Sequence, residues 1–331
     1  MRAHSKLNLF CSFGVTIAAI LILFFFAINT GGLKTTVPEL FQGLFLRYDQ
    51  TVAIILELRF PRIIVTLLGG ALMSVSGVLM QAVMKNPLAD PGIIGISSGA
   101  ALAALIVPSF APTLVAFTPL FSFLGGIIAF AVVYILAYNG EINPVRLILV
   151  GVAVNAVFTG LYDAFGAMGG GTNTAYGIIN ANISLKTWDD VRLLGIYTLI
   201  GGIMCFFILE KCNYLMLSDQ TAQSLGINVG RTRTAVSVIS VMLASIFASV
   251  IGSVSFLGLI VPHIARLVVG SDHKKLIPYS VLLGSFVFLF ADTVGRTIAY
   301  PYEISSSIIM SVIGGPIFII LLKRSRGLYG G

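Results

Sequence analysis

Charge is what this sequence has least of. Asp, Glu, Lys and Arg together make up 10% of its 331 residues, against about 25% in a soluble domain. Apolar types reach 57%, leaving too little polar surface to coat a water-soluble globule of this size. Cysteine and histidine are equally sparse. Cys11, Cys205 and Cys212 fall in or beside apolar runs, where no disulfide is expected. His4, His263 and His273 are too scattered to form a metal site. No G-x-x-x-x-G-K-[ST] stretch occurs, so the chain has no P-loop of its own. Within the apolar runs, ionisable residues are confined to the ends: Asp163 and Asp292 near one side, Glu210 and Arg266 near the other. A chain of buried carboxylates or histidines that could relay protons is therefore missing, which argues against ion-coupled transport. Catalytic polar groups clustered at one depth, as a membrane enzyme needs, are missing too.

What is present is length of apolar sequence. Crossing a hydrocarbon core about 30 Å thick takes roughly 17–25 helical residues; several runs reach that length, and ten spans are expected at about 9–28, 63–83, 92–107, 119–138, 147–166, 192–209, 235–252, 255–270, 276–298 and 304–322. The first is too long for a signal-peptide core and no small-x-small cleavage site follows it, so it reads as a retained span. The stretch 235–270 is read as two short spans meeting near Gly252 and Ser253. A single span there would leave Lys323, Arg324 and Arg326 on the outer side, against the positive-inside rule. The expectation is an all-α membrane protein of about ten helices, one domain over residues 1–331, with both termini cytoplasmic.

The net charge of +7 follows the same topology. Thirteen Lys and Arg fall inside (2, 6, 85, 146, 211, 231, 233, 266, 274, 275, 323, 324, 326) and seven outside (34, 47, 59, 62, 186, 192, 296). This sorting assigns the basic excess to membrane orientation and not to nucleic acid.

Three stretches run against local preference or carry unusual chemistry. Arg59 and Arg62 flank Phe60-Pro61 at the expected outer start of the second span, where Pro61 suits a first helical position. Cations there face the positive end of the helix dipole, on the side that the charge rule leaves poor in Lys and Arg. One reading has Glu57 pair with one arginine while both snorkel to headgroups; the other has them dock carboxylates of an external protein. Arg296 could join them, with Asp292 one turn earlier placed to neutralise it. On the inner side, Ser218 and Asp219 are helix caps, and Thr221 to Leu225 can form a short helix stopped by Gly226. That helix could receive a partner subunit or merely lie in the headgroup layer. Between the second and third spans, Asn86, Pro87, Asp90 and Pro91 mark a sharp turn.

The motifs resemble a known family. Leu58-Arg-Phe-Pro-Arg62, Gly77-Val-Leu-Met-Gln81, Asn86-Pro-Leu-Ala-Asp-Pro-Gly92, Gly95-Ile-Ser-Ser-Gly-Ala100, Ala222-Gln-Ser-Leu-Gly226, Gly258-Leu-Ile-Val-Pro-His-Ile-Ala-Arg266, Gly270-Ser-Asp-His273 and Gly314-Gly-Pro-Ile317 stand in the family's order. Together they look like a permease subunit of the iron–siderophore and vitamin B12 class of ATP-driven (ABC-type) importers, the FecCD family. The resemblance implies a type II ABC importer permease in a bacterial inner or plasma membrane, without a cofactor or metal and without enzyme activity of its own. It implies a cargo of ferric siderophore, or haem or a corrinoid, and three kinds of partner: two ATP-binding subunits, a substrate-binding protein, and a second permease as homodimer or paralogue. By the same resemblance, Arg59, Arg62 and Arg296 match arginines that pair with glutamates of the binding protein. Ser218, Asp219, Ala222, Leu225 and Gly226 match the loop that rests on the ATPase. Asn143, Pro144 and Val145 match the inner gate, although the B12 permease has small hydroxylated residues there.

Overall fold

The computed structural model describes residues 6–29, 39, 50–139, 141–142, 144–168, 183–300 and 302–329. They form eleven α-helices: α1 (Lys6–Ile28), α2 (Gln50–Val83), α3 (Ile96–Phe110), α4 (Thr118–Ala137), α5 (Pro144–Ala167), α6 (Trp188–Leu215), α7 (Asp219–Ser224), α8 (Val229–Ile251), α9 (Leu257–Val269), α10 (His273–Thr297) and α11 (Ser306–Tyr329). A two-residue ribbon, Tyr138–Asn139 with Glu141–Ile142, joins α4 to α5. Among the described residues, seven helices are long and apolar enough to cross a membrane, and three shorter apolar ones (α3, α9 and most of α11) complete a set of ten. Only α7 is too short and polar to belong to it.

The second helix is the axis of the bundle. The apolar window of α2 is 83% buried and that of α8 is 78%, against 6% for α1. Around α2 pack α10, α8, α6 and α9. Small residues make this possible, because bilayer helices gain little from the hydrophobic effect and associate by close backbone contact and interhelical hydrogen bonds. A Cβ at Gly77 would fall on the Gly258 carbonyl of α9, and one at Gly70 on the Gly284 carbonyl of α10. Beside these crossings, Ser76 Oγ donates to the Ser240 carbonyl (2.6 Å), and Ser240 Oγ to the Ser76 carbonyl (2.8 Å). Ser74 Oγ donates to the Ser280 carbonyl at 3.0 Å.

Several expected boundaries move, with the starts of the second and third spans bearing most on the site, and the break within 235–270 holds. The second span, expected at 63–83 with Pro61 opening it, is longer: α2 begins at Gln50 and carries Pro61 inside. An interior proline frees the carbonyl four residues earlier. Here the segment before it is held by packing, since Val52, Ile55 and Ile63 form one buried cluster with Ala27 and Ile28 of α1 and Leu289 of α10. Arg59 and Arg62 therefore stand within a helix and not at its first turn, so the unfavourable dipole position expected for them does not arise. The third span starts later than expected, because residues 91–95 form turns and Gly95 sits at φ 92° ahead of α3. The split in 235–270 falls where expected: α8 stops at Gly252 (φ 92°), and α9 starts after Phe256.

Candidate functional site

Two polar centres lie at opposite ends of the bundle. At the expected outer end, α2 contributes Arg62, α10 contributes Asp292 and Arg296, the connection to α11 contributes Glu303, and the 3-10 turn Ile183–Leu185 contributes Ser184. Arg62 Nη2 donates to Asp292 Oδ1 at 2.8 Å, and its Nε lies 3.1 Å from Oδ2. Arg62 Nη1 donates to Glu303 Oε2 at 2.9 Å and to Ser184 Oγ at 2.9 Å. The Ser184 hydroxyl in turn donates to Glu303. Arg296 Nε pairs with Asp292 Oδ2 at 3.3 Å, one helical turn away, and its Nη1 reaches the Ala27 carbonyl of α1 at 3.4 Å.

Burial grades this cluster from inside to outside. Asp292 is 2% exposed and Arg62 and Arg296 are each 7% exposed, while the Glu303 side chain is 46% exposed. Partial burial pushes the Glu303 carboxyl up, but the Ser184 hydroxyl and the Arg62 guanidinium outweigh it and hold the group below the usual carboxylate range. Arg59, one turn before Arg62, is half-buried and donates to the Ile28 carbonyl at the end of α1. Of the three arginines singled out in the sequence, Arg62 and Arg296 thus converge on one carboxylate and turn inward, and Arg59 is the one nearest the surface. The carboxylates that meet Arg62 come from Asp292 and Glu303, not from Glu57. Helical spacing predicts only the pair of Asp292 with Arg296, and nothing local in the sequence places Glu303 or Ser184 in this cluster.

At the opposite end, α7 connects α6 to α8. Ser218 caps it, its hydroxyl accepting from the Thr221 N–H at 3.1 Å. Gly226, at φ 79°, closes it: the Gly226 N–H donates to the Gln223 carbonyl (2.9 Å) and the Ile227 N–H to the Ala222 carbonyl (3.1 Å). Ala222 is buried and Leu225 is exposed, so one face of α7 seats on the bundle and the other is open. Asp219 lies between two cations: Lys85 Nζ donates to its Oδ1 at 2.7 Å, and Arg233 Nη2 lies 3.3 Å from both oxygens. Lys85, one of the expected inner charges, has a specific partner here.

The 86–92 corner is built from two Asx turns. Asn86 Oδ1 accepts from the Leu88 N–H at 2.9 Å, and Asp90 Oδ1 from the Gly92 N–H at 2.6 Å. Pro87 and Pro91 follow these turn residues directly. Of the expected gate residues, Pro144 and Val145 form the first turn of α5, and Asn143 lies outside the described residues. No group of three or more His, Cys, Asp or Glu that could hold a metal occurs among the described residues.

These features match known proteins over nearly the whole chain. The probable heme-iron transport system permease protein IsdF of Staphylococcus aureus (strain Newman) is 36% identical over 326 residues, which is 98% of each chain. A solved structure of a metal-chelate type ABC transporter in an inward-facing conformation superposes with a TM-score of 0.76 at 26% identity, covering 95% of this chain and 99% of that one. PsaBC from Streptococcus pneumoniae, solved with a Fab, shares the fold at a TM-score of 0.57 and 14% identity over 86% of this chain and 95% of that chain. The family model of the FecCD transport family matches residues 19–324. The match over residues 19–324, together with ten apolar helices among the described residues of which α2 is the buried axis, makes this chain a member of the FecCD transport family.

Proposed function

We propose that the protein is the permease through which an iron chelate, delivered by a substrate-binding protein, enters the cytoplasm at the expense of ATP hydrolysed by two partner subunits. The observation that carries this reading is the pair of polar ends: an arginine cluster at one end of the bundle and an open, doubly capped α7 at the other, in a FecCD chain with no P-loop. Both termini and α7 face the cytoplasm, as the charge sorting requires. The cargo class favoured here is a ferric siderophore, supported by the metal-chelate type neighbour. Haem is the second reading, supported by the printed name of IsdF.

On the outer face, Arg59, Arg62 and Arg296 receive glutamates of the binding protein. An arriving carboxylate meets Arg59 first and reaches Arg62 by taking the place that Glu303 holds. On the inner face α7, with Ser218, Asp219, Ala222, Leu225 and Gly226, seats in the ATPase, and Asn143, Pro144 and Val145 form the inner gate. A second permease subunit, identical or paralogous, completes the path. Sparse charge along the spans gives the path only weak contact with cargo, so selectivity resides in the binding protein.

Reconstitution tests this directly. In proteoliposomes holding the permease and its ATPase, with the binding protein outside and ATP inside, iron-55 chelate uptake is expected only when all components are present. Ferric siderophore and haem, offered separately, decide the cargo. Arg59→Glu is expected to weaken binding-protein docking at least several-fold with membrane insertion unchanged. Uptake by the permease alone under an ion gradient would overturn the reading.

A further inference from the structure

We propose that Lys85, at the corner between α2 and α3, is the residue that receives the motion of α7, through an ion pair with Asp219 that Arg233 shares. The proposal rests on the reading of α7 as the ATPase contact and names where that contact is transmitted.

Two independent observations single out Lys85. The first is its backbone. The end of α2 closes as the end of α7 does: the Lys85 N–H donates to the Ala82 carbonyl (3.4 Å) and the Asn86 N–H to the Gln81 carbonyl (3.2 Å). In α7 the left-handed position of this motif is filled by Gly226, the residue that adopts it without strain. At the end of α2 it is filled by Lys85, at φ 47°. A side chain kept where glycine is the relaxed choice points to a use for that side chain.

The second observation is where the side chain goes. Lys85 Nζ donates to the Leu217 carbonyl at 2.6 Å and to Asp219 Oδ1 at 2.7 Å, holding the entrance of α7 at two points. From the other side Arg233, on α8, pairs with the same carboxylate at 3.3 Å. Lys85 and Asp219 are about a third and a half exposed, and pairs so exposed add little to stability. Their value is positional. A helix of six residues has little stiffness of its own, and these ties add a direct route from α7 to the end of α2 beside the seat of Ala222 and the chain connections to α6 and α8. Asp219 fixes it to the inner ends of α2 and α8. Gln81, one turn before Lys85, accepts from Arg266 of α9, which brings the third inner helix into the same body. From Lys85 the axis helix leads back to Arg62, 23 residues earlier and roughly 35 Å away at 1.5 Å per residue.

The test is a set of variants in the full transporter, with ATP hydrolysed per iron chelate moved as the readout. Lys85→Gly relieves the backbone and deletes the side chain. It is expected to keep or raise thermal stability while the ratio rises several-fold. Asp219→Asn is expected to raise the ratio similarly, and Lys85→Gly with Asp219→Asn no further than either alone, since both remove one linkage. Arg231→Met, removing a nearby exposed charge, is expected to leave the ratio unchanged. A wild-type ratio in Lys85→Gly would overturn the proposal while the permease reading stands. Loss of ATPase co-purification in either single variant would make the pair an assembly contact and overturn it equally. If the wild type itself shows no ATP-driven uptake, the permease reading fails and the proposal falls with it.

Discussion

Two guanidinium groups nearly removed from water need their counter-charges in place, and Asp292 serves both. It is the innermost member of the outer cluster, so its removal leaves Arg62 with Glu303 as its one counter-charge beside the Ser184 hydroxyl, and Arg296 with a carbonyl of α1. Breaking a buried pair by deleting one partner costs about 3–5 kcal/mol. Asp292→Ala is therefore expected to lower the unfolding temperature of the detergent-solubilised protein more than any other single change in the cluster. Glu303→Gln, at a half-exposed carboxylate, is expected to cost about 1 kcal/mol or less. The two also differ in pH dependence. The Glu303 carboxyl is held below its unfolded value of 4.5, so its contribution is complete above that value and disappears as pH falls through the lower, folded one. A melting series from neutral to acid pH is expected to show a loss below pH 4.5 that Glu303→Gln removes. An unchanged series in that variant would place the acid-sensitive group elsewhere.

Individual helices divide into those whose limits were readable in the sequence and those set by distant contacts. The number of spans was readable because hydrocarbon thickness imposes a length and charges mark the turns. The break between α8 and α9 was readable from Gly252 and Ser253. The start of α2 was not, because proline normally ends the search for a helix upstream, and the contacts that carry α2 past Pro61 come from α1 and α10. The outer cluster was half readable for a similar reason. The pairing of Arg296 with Asp292 follows helical spacing, whereas Arg62 reaches its carboxylates across 230 and 241 residues, a separation that no local pattern encodes. Lys85 looked like a topology charge because nothing in its neighbourhood shows that its backbone is left-handed. The structure gives Gly70, Ser74, Ser76 and Gly77 of α2 close partners on the neighbouring helices. Gly77→Ala is expected to be destabilising by about 1–3 kcal/mol, the cost of overpacking, because its new Cβ meets the Gly258 carbonyl backbone. Gly160→Ala on α5, where nothing lies within 4 Å, is expected to be neutral or stabilising by up to about 1 kcal/mol. Thermal unfolding of the two variants side by side checks the contrast, and equal effects would show that α2 and α9 can part without cost.

Over the molecule as a whole, the exposed surface is of two kinds. The exposed faces of α1 and of the mid-span part of α6 are apolar throughout, with Phe10, Ile22 and Phe26 on one and Ile203, Phe206 and Phe207 on the other. Those faces suit lipid. The outward side of α5 exposes Thr159 and Asp163, and that of α11 exposes Ser311. Polar and ionisable side chains in spanning helices tend to face protein or water, so these two helices are expected to lie against a second subunit or the transport path. Cysteine accessibility separates the alternatives for each face. In the assembled transporter, with Cys11, Cys205 and Cys212 replaced, Thr159→Cys and Ser311→Cys are expected either to react with a charged methanethiosulfonate reagent or to cross-link to the neighbouring permease. Ile22→Cys and Ile203→Cys are expected to do neither. Reaction at the α1 and α6 sites with none at α5 and α11 would invert the assignment: lipid would then cover the polar helices, and the path would have to run along faces that carry no polar group to line it.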